Sequence, residues 1–133
     1  MKSKRKKILV TVLLVIAVIF VGGKIVMARL EADLKALESM PIAQIDLVAV
    51  ADGVYAGSYS VFPVSVEVSV TVKGHAITDI RLVKHSNGQG KAAETIPGKV
   101  VEAQSLAVDS VSGATYSSRV ILKAIETALL GPK

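Results

Sequence analysis

A chain of 133 residues, 51% of them apolar, with no Cys and two His, has room for one folded domain; it excludes disulfides, thiolate metal sites, cysteine nucleophiles and lipidation on Cys, and leaves little room for a His-based metal centre. The formal charge of +5 is local, because residues 1–30 hold seven bases and no acid while residues 31–133 hold nine bases against eleven acids, a charge of −2. With no basic stripe on that remainder and few aromatics to stack bases, a nucleic-acid partner is excluded.

Residues 1–7 are a cationic head. Residues 8–23 form an apolar run whose one polar member is Thr11, and beyond Lys24 the run continues to Ala28. A spanning helix needs about 20 residues, so residues 8–28 read as a transmembrane signal-anchor in the lipid bilayer, with Lys24 snorkelling at its outer end. Five bases before the run place the N-terminus inside and the domain outside, in a single-pass cell-membrane arrangement. A cleaved signal peptide is the other reading, with a passable cleavage site at Val26-Met27-Ala28. The anchor is favoured because Leu30, Leu34 and Leu37 continue a helical period to about Ser39, where Met40-Pro41 ends it. A pilin-like N-terminus would want an acid just inside the apolar run, and none is there.

Residues 29–45 are then a helical extension and linker, and residues 46–133 the extracytoplasmic domain. The apolar stretch 45–51 is either an edge strand or a segment packed on the domain. Residues 54–60 read as a strand entered from the Asp52-Gly53 turn. In residues 64–73 Val alternates with polar residues, the period of a half-buried antiparallel strand. Gly74 turns the chain, and residues 76–84 return with Ile80 and Leu82 on one face and Asp79 and Arg81 on the other. Residues 91–95 suit one helical turn, 98–105 a short helix with Val100, Val101 and Gln104 sharing its surface, and 117–130 a longer helix. The buried stripe of that last helix is Val120, Ile121, Ala124, Ile125, Ala128 and Leu129, and Gly131-Pro132 stops it. The expected fold is α+β: a small antiparallel sheet covered by two helices, preceded by one transmembrane helix.

Chemistry concentrates in residues 109–118. Ser112-Gly113-Ala114-Thr115 is a tight turn feeding a helix start, where free N–H groups and the helix dipole favour an anion. Hydroxyls at 110, 112, 115, 117 and 118 surround the same spot, so the segment suits a phosphate nest. Composition alone favours the plainer reading, in which these Ser and Thr are helix caps and turn residues.

The order of residues shifts that balance. Asp109-Ser110-Val111-Ser112-Gly113-Ala114-Thr115-Tyr116-Ser117-Ser118 fits D-x-x-[ST]-G-A-T-x-[ST]-[ST]. This resembles the flavinylation motif of the FMN-binding domain family, which includes the small extracytoplasmic flavin subunits of sodium-translocating NADH–quinone reductase and Rnf-type complexes. Upstream, residues 52–59 resemble that family's opening strand, 64–84 its hairpin and 96–105 the helix before the motif. The resemblance implies FMN as cofactor, esterified through its phosphate to the Thr115 hydroxyl. A separate Mg-dependent flavin transferase would make that bond from FAD. It implies a phosphate cradle of Ser112, Gly113, Ala114 and Ser117, with Asp109 read by the transferase. Thr115 is then a modification site with no catalytic role, consistent with a hydroxyl that has no neighbouring base in sequence.

His85 and the stretch 87–90 either approach the flavin ring or form an ordinary loop. Tyr116 stacks on the ring or is half-buried. Tyr55 and Tyr59 read as packing, His75 as a solvated turn residue, and Glu94 and Glu102 as solvated helix positions. The minimal domain carries no second cofactor motif. The expected function is that of an electron-carrier flavoprotein, more than a stand-alone enzyme, exchanging electrons with membrane or extracytoplasmic redox partners. The alternatives are a non-covalent FMN-binding module and a purely structural or interaction module, anchored or secreted.

Overall fold

The computed structural model describes residues 1–86 and 90–131. The chain forms two compact units, Met1–Asp33 and Leu34–Lys133. The first is helical throughout and belongs to α1, which runs Lys2–Ser39. By length and composition α1 can cross a membrane, and its apolar stretch is exposed throughout. Its two polar interruptions are accommodated locally. Thr11 donates its hydroxyl to the Lys7 carbonyl at 2.9 Å, and the Lys24 ammonium stands 5.3 Å from the Phe20 ring centroid.

The second unit begins with the last residues of α1, where Leu37 is buried. Residues 40–52 contain a 3₁₀ turn at Leu47–Ala49 and no strand. Asp46 caps that turn, Val50 is buried, and Ile45 and Leu47 pack on the core. Of the two readings of this stretch, packing on the domain is the one observed.

Three antiparallel strands follow in the order β1 (Gly53–Val61), β2 (Val64–Lys73) and β3 (Ala76–Ser86). The alternation in β2 does what its period requires: Val64, Val66, Val68, Val70 and Val72 are buried, while Glu67 is exposed on the other face. The Phe62-Pro63 peptide is cis and joins β1 to β2. Gly74 and His75, both at positive φ, join β2 to β3 in the manner of a two-residue primed turn.

β3 is irregular. Its register against β2 shifts twice, leaving Thr78 and Val83 as extra residues. The first shift lets Ile77 and Ile80, three apart, both face the core. The second places Lys84 opposite exposed Glu67 and His85 opposite buried Val66. Unbroken alternation from Ile80 would have pointed Lys84 inward instead.

After the 3₁₀ turn Lys91–Thr95 come α2 (Ile96–Ala103) and α3 (Thr115–Leu130). Both lie on the valine face, α3 over β1 and β2, α2 against β3. The expected α+β layering is thus present. The expected boundaries of α2 move from 98–105 to 96–103. Pro97 sits in its first turn, and Gln104 leaves the helix in the left-handed conformation, with φ of 51°. Its amide is drawn to β3 instead: Oε1 accepts from the Ile77 N–H and Nε2 donates to the Ile77 carbonyl, both at 2.8 Å. Helix α3 buries the whole expected stripe. It begins at Thr115, two residues before the expected start at 117.

Candidate functional site at the N-terminus of α3

The site is built by the turn that delivers α3. The Ala114 N–H donates to the Val111 carbonyl at 2.9 Å, closing a four-residue turn whose third residue, Gly113, has φ of 79°. That pairing of hydrogen bond and positive φ is a type II turn, which explains a glycine there. Ser112 and Gly113 are exposed at its tip, Asp109 is exposed before it, and Thr115 is half-buried at the first helical position.

The N-cap is Ala114, and no side chain caps the helix. The reading of the surrounding Ser and Thr as N-caps therefore fails at the cap itself. Among the described residues, the N–H groups of Thr115, Tyr116 and Ser117 donate to nothing; the first helical bond is Ser118 N–H to the Ala114 carbonyl, at 2.9 Å. Three adjacent amides at the positive end of a 16-residue helix, beside an exposed glycine turn, fit a phosphate group. That is the observation by which these residues suit FMN.

The expected cradle residues take different parts. Ser112, Gly113 and Thr115 are accessible at the turn. Ala114 is buried, and Ser117 is only 2% exposed, so the Ser117 hydroxyl is not presented at the turn. Tyr116, 39% exposed, lies at the second helical position. His85 does not sit in a loop. It occupies the inner face of β3 with its side chain 3% exposed, and its Nδ1 is 3.1 Å from Glu94 Oε1. Glu94, expected to be solvated, thereby links β3 to the 3₁₀ turn. Asn87, Gly88 and Gln89, named beside His85 as flavin-ring candidates, lie outside the described residues, as does Pro132 of the expected helix stop.

Sequence reasoning missed the polar side chains that strap residues 37–43 along α3. The Arg119 guanidinium donates to the Leu37 and Met40 carbonyls at the end of α1, adding to the Met40 N–H that the Leu37 carbonyl already accepts at 3.2 Å. Glu126, 4% exposed, accepts from the Ala43 N–H at 3.2 Å and from Lys123 Nζ at 2.9 Å. The spacing 119, 123, 126 puts all three on one helix face. That period is legible in the sequence; the partner segment is not.

The fold and site together define a small α+β domain whose last helix starts without a side-chain cap beside an exposed glycine turn. A family model for the FMN-binding domain matches residues 62–130, so the chain belongs to the FMN-binding domain family, and FMN is its cofactor. The match takes in the motif and all of β2 to α3; β1 and residues 52–59 fall before it. A comparison with curated proteins found no match.

Proposed function

We propose that this chain is a membrane-anchored flavoprotein that holds FMN as a phosphoester of Thr115 and carries electrons on the outer side of the cytoplasmic membrane. One observation carries the reading: residues 109–118, which lie within the family match, deliver a helix whose first residue is Thr115 and whose first three amides have no partner among the described residues. The amides and the helix dipole would hold the phosphate, and Thr115 Oγ1 would supply the ester oxygen. In loading, that oxygen takes the FMN half of FAD, the pyrophosphate bond breaks, and AMP leaves. With no base beside Thr115 in sequence, a Mg-dependent flavin transferase supplies the activation. Asp109, exposed before the turn, is where that enzyme would read the motif.

Bound FMN supplies the redox chemistry. The chain supplies attachment, and Tyr116 stands next to the tether. The basic head and the apolar length of α1 support an anchor with its N-terminus inside. An ester tether also keeps the cofactor from diffusing away outside the cell. Its redox partners would be membrane or extracytoplasmic electron carriers.

The test is to incubate the full chain in detergent with a flavin transferase, Mg²⁺ and FAD, and to take an intact mass. The expected result is a gain of one FMN less one water, absent in Thr115→Ala. No gain, with the transferase active on a control substrate, overturns the covalent reading and leaves non-covalent FMN binding to be measured directly.

A further inference from the structure

We infer that Ser118 is the positioning residue of the cofactor site: it holds the turn in shape without occupying the amides that the phosphate needs. The inference rests on the covalent reading above. Ser118 is fully buried, so it can touch neither flavin nor transferase. Its Oγ accepts from the Val111 N–H at 3.0 Å and donates to the Ala114 carbonyl at 2.7 Å. Val111 and Ala114 are the two ends of the glycine turn, and they are also bonded to each other. One hydroxyl thus ties both ends of the turn to the fourth helical residue.

The position of this hydroxyl matters. A Ser, Thr or Asp at the N-cap orders a helix start by accepting from the second or third amide. Here those are the Tyr116 and Ser117 amides, two of the three that remain open. An N-cap of that kind at position 114 would compete with a phosphate for them. Alanine at the N-cap removes the competitor, and the order it would have supplied comes from below through Ser118. A helical serine bonded only to the carbonyl four residues back would be unremarkable. The second bond, outward to Val111, makes it a staple for the turn that presents Thr115.

The experiment compares full-chain variants in the flavin-transfer assay, at a temperature where each is folded and with rates taken per folded molecule. Ser118→Ala is expected to slow FMN addition about tenfold, the factor that one ordinary hydrogen bond carries. Val120→Ala, which destabilises the same helix in its core, is expected to keep the wild-type rate. Ser118→Thr, which retains the hydroxyl, is expected to restore it. A readout without the transferase is the ¹H–¹⁵N spectrum of the flavin-free chain titrated with inorganic phosphate. Shifts at the Thr115, Tyr116 and Ser117 amides should weaken in Ser118→Ala and persist in Val120→Ala. Wild-type loading and phosphate shifts in Ser118→Ala overturn the inference and leave the flavin reading standing. Absence of loading in the wild type overturns both. Should Ser118→Ala not fold, Ser118→Cys, of similar shape but a weak donor and acceptor, is judged by the same outcomes.

Discussion

The two ends of α3 answer opposite demands. Its C-terminal half is among the most tightly fitted parts of the domain. A Cβ on Gly57 of β1 would stand 2.3 Å from the Ala124 carbonyl oxygen and 2.5 Å from the Ala128 nitrogen, so strand and helix backbones nearly touch. Glu126 and Lys123 close the adjoining face with an ion pair and a bond to residue 43. Its N-terminal end has exposed small residues, an alanine N-cap and three amides without partners among the described residues. One helix thus spends its middle and C-terminal turns on stability and leaves its first turn free to bind. On the proposed reading, the FMN phosphate sits at the end where the ordinary rule for helix starts is broken.

The largest expected effect strikes the open end. Thr115→Ala should remove covalent FMN completely, read as loss of the mass gain, while the melting temperature stays close to wild type because the Thr115 hydroxyl donates to no group among the described residues. A large drop in stability there would blur the contrast between the two ends. Next comes Gly57→Ala at the closed end. The new Cβ meets backbone that cannot move aside, so β1 and α3 must separate, at about 3 kcal/mol or more by denaturant unfolding. A change under about 1 kcal/mol would show that the close approach is soft. Glu126→Ala should cost roughly 2–4 kcal/mol, since it strands Lys123 and the Ala43 N–H in partly buried surroundings. Flavin loading per folded molecule should be unaffected, because these contacts lie on the strapped face away from the first turn. The smallest effect has the opposite sign. His75→Gly relieves a non-glycine residue held at φ of 61° in the β2–β3 turn. It should stabilise the domain by about 0.5 kcal/mol, seen as a slight rise in melting temperature.

Strictly local patterns were legible in advance. The valines of β2 could face only one way once period 2 was recognised, and the stripe from Val120 to Leu129 could face only one way at period 3.6. The apolar length of α1 and its stop near Pro41 followed from chain chemistry alone. The motif at residues 109–118 was readable because it specifies identity at adjacent positions, and the family match includes it. What eluded the sequence depends on partners distant in the chain. Gln104 reads as one more helix residue until Ile77 is beside it. Glu94 reads as solvated until a register shift at Val83 turns His85 toward it. Arg119 and Glu126 gain their roles only when residues 37–43 lie across them.

The sequence by itself determined the periods, the turns, the long apolar helix and the hydroxyl-rich motif, because each depends on residues within a few positions of one another. The tertiary structure alone decided that Ser112, Gly113 and Thr115 face outward while Ser117 and Ser118 face the core, and that no side chain caps α3. Five hydroxyls in nine residues are alike in composition. Burial against the sheet, and the one turn of the chain that brings Val111 over Ser118, separate those that can meet a ligand from those that hold the site in place.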